Sequence, residues 1–228
     1  MKRFISLAIC LLLATISLTA FAENYVPSPT IEGKFGPNPY LVLVNKESKL
    51  PDNWLDIIVL KPVQNSLGEK FLVEEITLEH FNVLREELLK EGIQIELDST
   101  YRSLEEQQEI WDEWLANPEL GLDYCEKYLA KVGYSEHHTG LAIDIFIIKP
   151  DGYNERENDE MIADREIFAK IHEKLAMFGF ILRYPEGKEN ITGYNYEPWH
   201  FRFVGEDVAK EIFENKLTLE EYLTQAQK

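Results

Sequence analysis

The stretch Ser135–Asp144, SEHHTGLAID, runs directly into Leu141–Ile148, LAIDIFII. The second run is short, apolar and rich in β-branched residues, and it is followed by turn formers from Lys149 onward, which predicts a buried strand. A lone Asp in such a strand needs a partner. An unpaired carboxylate away from water is costly, and coordination of a metal ion is one of the few remedies. Asp144 is that residue, and His137 stands seven positions before it. Gly140 reaches backbone angles closed to other residues, so a sharp turn from the His137 loop into the strand is expected.

A second run, Glu197–His200 (EPWH), places a carboxylate three positions before an imidazole. Pro198 lacks an N–H donor and its ring clashes with the preceding turn, so this run is not the helical HExxH arrangement. Catalytic zinc takes three protein ligands from neutral imidazole nitrogen and carboxylate oxygen and keeps a position for water. His137, Asp144 and His200 fit that count. Glu197 is then spare, and a carboxylate beside the metal can act as general base and later return the proton to a leaving amine. His138 offers a second imidazole next to His137, and spacing alone leaves the choice between them open.

Upstream, Ile93–Leu97 alternates with polar residues like a half-buried strand and leads to STYRSLEEQ at Ser99–Gln107. Ser103 and Glu106 form a capping-box pattern, which predicts a helix over 104–115 and puts Arg102 at a strand–helix junction. From there its guanidinium can grip a carboxylate through two parallel bonds; an ordinary surface ion pair is the plainer reading. Further helices are expected over 77–92, capped by Thr77, with Phe81, Leu84, Leu88 and Leu89 on one face, and over 124–131 and 164–178. The pair at 205–216 and 219–225 closes the chain, the last introduced by Thr218 and Glu221. Short strands are expected at 41–44 and 180–184, a hairpin or loop at 185–195, and an alternating strand through Trp199, Phe201 and Phe203. His80 and His172 read as solvated or structural residues, and Tyr184 and Trp199 as core residues or walls of a groove.

Helices and strands mix without regular βαβ alternation. The expected fold is therefore α+β: a single domain with a small, mainly antiparallel sheet carrying a zinc site, flanked by helices.

The ordered set Ser-x-His-x-x-Gly-x-Ala-x-Asp and Glu-x-x-His resembles the VanY-like zinc D-alanyl-D-alanine carboxypeptidases, a group that includes L,D-carboxypeptidases of peptidoglycan. The resemblance extends through LVLVNKESKLP at Leu41–Pro51, the Ser99–Gln107 run and FILRYPEGKENITGYNYEPWHFRFVG at Phe180–Gly205. It implies His137, Asp144 and His200 as zinc ligands and Glu197 as general base. It also implies Arg102 near the scissile carbonyl or terminal carboxylate, with Gln107 and Ser135 binding the peptide end. Thr100, Val132 and His138 depart from the Gly, Pro and Gln common in the family. The implied activity is removal of terminal D-alanine from peptidoglycan stem peptides, in D,D or L,D form. A non-catalytic cell-wall peptide-binding module and a peptidoglycan endopeptidase are the alternatives.

The 228 residues, 45% of them hydrophobic, suffice for one good core. Residues 1–22 begin with Lys2 and Arg3, continue through an apolar run and end Ala20-Phe21-Ala22, the layout of a secretory signal peptide. Export to the periplasm, cell envelope or exterior is therefore expected, with membrane attachment only if that leader stays uncleaved. Residues 23–39 hold several Pro and Gly and read as an irregular arm before a domain at 40–228. The net charge of −18 opposes binding to nucleic acid or anionic lipid. Cys125 is the one Cys outside the leader, so no internal disulfide is expected, and the protein is expected to be a monomer.

Overall fold

The strand expected at LAIDIFII is the centre of the molecule. A computed structural model describes residues 38–118 and 120–226. The proposed leader and its following arm, up to residue 37, lie outside them. The strands are β1 (Leu60–Gln64), β2 (Lys70–Glu74), β3 (Gln94–Ser99), β4 (Ala142–Ile148), β5 (Asn154–Glu155), β6 (Phe180–Leu182) and β7 (His200–Phe203). β1 and β2 form a separate hairpin. The main sheet runs β3-β4-β7-β6, with β5 added to β4, and every pairing in it is antiparallel. The helices are α1 (Glu75–Lys90), α2 (Leu104–Ala116), α3 (Gly121–Tyr128), α4 (Asn158–Ala163), α5 (Arg165–Leu175), α6 (Glu189–Thr192), α7 (Glu206–Asn215) and α8 (Leu219–Ala226). This is the expected α+β arrangement.

Alternation along β4 sorts its side chains. Ile143, Ile145 and Ile147 enter the main core with Phe81, Leu84 and Leu88 of α1 and Phe168, Ile171 and Leu175 of α5. Asp144 falls on the opposite face by the two-residue period of a strand. On that face Ala142 and Phe146 are also fully buried. On the Asp144 face, Ile181 of β6 packs with Ala209 and Ile212 of α7 and Leu219 of α8.

Two expected capping boxes form, Ser103 with Glu106 and Thr218 with Glu221. Elsewhere local signals give way to tertiary contacts. Thr77 does not cap α1: the Glu74 carboxylate takes that role, accepting from the Thr77 N–H and hydroxyl. Leu89 stands 56% exposed because α1 buries only the face shared by Phe81, Leu84 and Leu88. Residues 41–44 form no strand. After a short 3₁₀ turn at Pro39–Leu41, the carbonyls of Tyr40 and Val42 accept from the Arg202 guanidinium. The helix expected over 124–131 starts and ends earlier, at Gly121 and Tyr128, and the helix expected over 164–178 tightens into 3₁₀ geometry at Ala176. The strand expected over 180–184 stops at Leu182, and the segment expected as a hairpin or loop at 185–195 contains the single turn α6.

Gly140 makes the turn into β4 with φ of 72°, and a Cβ built there would meet Leu60 Cδ2 at 2.8 Å and Glu74 backbone nitrogen at 3.4 Å. Gly140→Ala is expected to lower stability by about 1–3 kcal/mol through left-handed strain together with that contact. Urea denaturation followed by circular dichroism reads the loss as a lower midpoint.

Candidate active site

His137, Asp144 and His200 arrive from three elements and meet. His137 lies in a 3₁₀ turn, Glu136–Thr139, whose cap Ser135 accepts the His137 N–H through Oγ at 3.3 Å. Trp54 Nε1 donates to Thr139 O at 2.9 Å, and Arg102 N–H donates to His137 O at 3.2 Å, so the turn is pinned from two sides. Asp144 and His200 are direct cross-strand partners of β4 and β7, which puts both side chains on one face. On the other side of Asp144, β3 carries a register shift between Leu97 and Ser99, a local irregularity of the kind found next to active sites.

His137 Nε2 is 3.1 Å from Asp144 Oδ2, His200 Nδ1 is 2.8 Å from Asp144 Oδ1, and one ligand atom from each residue lies within 4.8 Å of the others. The donor set suits zinc. His137 Nδ1 donates to Thr100 O at 2.6 Å, which leaves Nε2 with its lone pair toward the cluster. Burial, helped by the Arg102 charge, pushes the His137 pKa down to about 4, so this imidazole is neutral. Although burial works against ionisation, the two imidazoles hold Asp144 well below the usual carboxylate range. Burial pulls His200 down, but the Asp144 carboxylate outweighs it and holds His200 at about 9. Either a proton on His200 or a metal ion can offset the Asp144 charge. Asp144 Oδ1 is buried without a hydrogen bond of acceptable geometry, as expected of an oxygen shaped for a metal.

Glu197 enters from the irregular EPWH turn, its N–H donating to Tyr184 O at 3.2 Å. Its Oε2 lies 3.7 Å from His200 Nδ1. Burial first, then repulsion from Asp144 against the pull of His200 and Arg102, raises its pKa to about 8. His172, read as solvated or structural, holds this turn: its Nε2 is 2.9 Å from Pro198 O. Arg102 donates from Nε to Ser99 Oγ at 3.1 Å and from one terminal nitrogen to Gln107 Oε1 at 2.9 Å, while the other lies 3.6 Å from Asp144. All five residues border one cleft of about 370 Å³, together with Ser135, Tyr184, Tyr194 and Trp199.

Gln107, which the resemblance implies helps to bind the peptide end, lies outside the residues that line this cleft. It is fully buried behind Arg102, with Nε2 donating to Ala130 O at 2.7 Å, so both ends of its amide are committed to the protein. His138 is not in the cluster either. Its Nδ1 is 2.8 Å from Arg102 O and its Nε2 accepts from Gly133 N–H at 3.1 Å, so of the two adjacent imidazoles only His137 joins the cluster. Tyr184 stacks beside the His200 ring at 4.8 Å between centroids and is buried as well, so it is both core and wall. His80 is half-buried against the Phe203 ring rather than solvated. Glu136 was missed: it is wholly buried and bound to Arg183 and Arg202. The signal available in the sequence was two arginines inside otherwise apolar strand runs, FILR and HFRF.

His138→Ala is expected to keep one zinc per chain after dialysis, measured by atomic absorption, while His137→Ala loses it. The first variant orphans the Arg102 carbonyl and the Gly133 amide and should cost about 1–3 kcal/mol of stability.

Known proteins resemble the chain over most of its length. The family model described as VanY, D-alanyl-D-alanine carboxypeptidase, matches residues 70–206. The bifunctional D-Ala-D-Ala dipeptidase and D-Ala-D-Ala carboxypeptidase VanXYC of Enterococcus gallinarum is 36% identical over 187 residues, covering 80% of this chain and 92% of that protein. Among solved structures, the LdcB LD-carboxypeptidase is 35% identical with a TM-score of 0.68, covering 81% of this chain and 86% of the other. The zinc(II) complex of a variant of the vancomycin-resistance D,D-pentapeptidase VanY is 32% identical with a TM-score of 0.65, covering 81% and 98%. The matched span contains every residue placed around the cleft from Arg102 to His200, and on that match the chain belongs to the VanY family of D-alanyl-D-alanine carboxypeptidases.

Proposed function

We propose that the chain is a zinc-dependent carboxypeptidase that removes the terminal D-alanine from peptidoglycan stem peptides, with His137, Asp144 and His200 holding the metal and Glu197 as general base. The observation that carries this reading is the convergence of a neutral imidazole, an ionised carboxylate, a second imidazole, a buried spare carboxylate and an arginine on one cleft. Zinc bound there supplies Lewis acidity toward the scissile carbonyl and makes a water easier to deprotonate.

The residues of the chain do the rest. Arg102 keeps N–H donors beyond those used by Ser99 and Gln107, and these are free to take the terminal carboxylate of the peptide. Arg102 and the cluster line the same cleft, so a peptide held there would present its last carbonyl to the cluster. Glu197 accepts a proton from the water that adds to this carbonyl, then donates it to the amine nitrogen of the departing D-alanine as the C–N bond breaks. Burial raises the Glu197 pKa, which makes it a stronger base than a solvated carboxylate. Gln107 and Ser135 act behind this front: Gln107 holds the guanidinium, and Ser135 caps the turn that presents His137.

The wider setting follows the same reading. Residues 1–22 act as an export leader and 23–39 as an arm before the enzyme domain at 40–228, so the protein works in the periplasm, envelope or exterior as a monomer. Among the described residues no helix is long and apolar enough to cross a membrane.

Synthetic stems ending as tetrapeptide and as pentapeptide, incubated with and without chelator and followed by mass spectrometry, test the activity. Chelator-sensitive loss of one terminal residue is expected, and the stem that is cut separates L,D from D,D cleavage; cleavage that survives the chelator would sink the metallopeptidase reading. Glu197→Ala is expected to retain zinc and to lose roughly 10²–10⁴ in kcat. The base works only when ionised, so kcat/KM should fall as pH drops through the Glu197 pKa. The bound dication draws that midpoint below the metal-free value of about 8, and a pH–rate profile reads it directly.

A further inference from the structure

A buried ionic cluster adjoins the site without belonging to the reaction just described. Glu136, Arg183 and Arg202 have fully buried side chains. Glu136 Oε1 accepts from Arg183 Nε at 2.8 Å and from an Arg202 terminal nitrogen at 2.7 Å. Arg183 turns its other two nitrogens to Glu220 of α8 at 2.6 and 2.9 Å. Two arginines and two carboxylates thus balance in charge. Desolvating such a group is expensive, and well-packed apolar residues often serve stability as well or better. Its charge therefore calls for a use beyond packing.

The use is visible at the second Glu136 oxygen. Oε2 takes no hydrogen bond from either arginine, is buried, and lies 3.7 Å from His200 Nε2, which is also buried and unpaired. Two orphaned polar atoms, an acceptor and an imidazole nitrogen, face each other across a gap slightly longer than a hydrogen bond. The other His200 nitrogen, Nδ1, is the one turned to Asp144. A metal-binding imidazole gives its lone pair from one nitrogen and carries its proton on the other, and an outer carboxylate commonly accepts that proton's hydrogen bond.

We propose that Glu136 is the positioning residue of His200: its Oε2 accepts the Nε2–H, which fixes the tautomer that leaves Nδ1 as a ligand, while Arg183 and Arg202 hold the carboxylate in place. This rests on His200 being a zinc ligand, as read above. The arrangement also ties both ends of the described chain to the site. Arg202 donates to the carbonyls of Tyr40 and Val42 at 3.0 and 2.7 Å, and Glu220 accepts from Asn45 at 3.1 Å.

The test is zinc affinity of the full chain by equilibrium competition with a chelator, joined to proton–nitrogen NMR of the imidazoles in the zinc-loaded protein. Glu136→Gln is expected to weaken zinc binding about 10–100-fold and to move the His200 Nε2–H resonance upfield. Glu220→Gln disturbs the same cluster but leaves Glu136 in contact with both arginines, so it should lower the melting temperature and leave zinc affinity near the wild-type value. Unchanged affinity in Glu136→Gln overturns the proposal. So does an equal loss in both variants that tracks their loss of metal-free stability, because Glu136 would then serve only the fold. If Glu136→Gln does not fold without metal, Glu136→Asp keeps the charge between the arginines but draws the carboxylate back from His200, and it is read by the same two criteria. A wild-type chain that binds no zinc would instead overturn the metal-site reading itself.

Discussion

An ionised carboxylate in the middle of a buried strand is the constraint around which the molecule is arranged. Asp144 has core isoleucines on both sides in sequence and is itself largely buried at the edge of the cleft. Two imidazoles hold it in its charged form, and a guanidinium lies 3.6 Å away. Each comes from a different route. His200 comes by strand register, His137 by a tight turn ending in Gly140, and Arg102 by the junction of β3 with α2. The sheet therefore fixes the distance between Asp144 and His200, and segments tethered to the sheet supply His137 and Arg102. A site on strands is stiff, which suits chemistry that depends on holding a peptide end in one pose.

Arg102 joins these routes. Its backbone N–H donates to His137 O, its carbonyl meets His138 Nδ1, and its side chain reaches Ser99, Gln107 and the neighbourhood of Asp144. The residue read as the substrate anchor is thus also the link between the His137 turn and the β3 end. Arg102 and the His137 turn thus share one set of contacts, so a change on one side is felt on the other. His172 does the same for the EPWH turn through Pro198 O. The imidazoles outside the ligand group are structural, and two of them work by satisfying carbonyls that irregular backbone would leave unpaired.

The sequence by itself determined a good deal. The buried strand with its lone Asp, the turn at Gly140, the non-helical EPWH run and the capped helix after Arg102 all follow from local chemistry, and the structure has each of them. The ligand types were legible because the cost of an unpaired buried charge leaves few explanations for Asp144. Tertiary structure decided what depends on partners far along the chain. The choice of His137 over His138 came from which ring nitrogens were taken by the distant Arg102 and by Gly133, and the retreat of Gln107 behind Arg102 came from Ala130. Residues 41–44 lost their strand to the Arg202 guanidinium, more than 150 positions away, and Glu136 gained its arginines from β7 and the end of β6. Hydrophobic period and capping act over a few residues and can be read from spacing, whereas a hydrogen-bond partner is a matter of position in space, which only the closed sheet supplies.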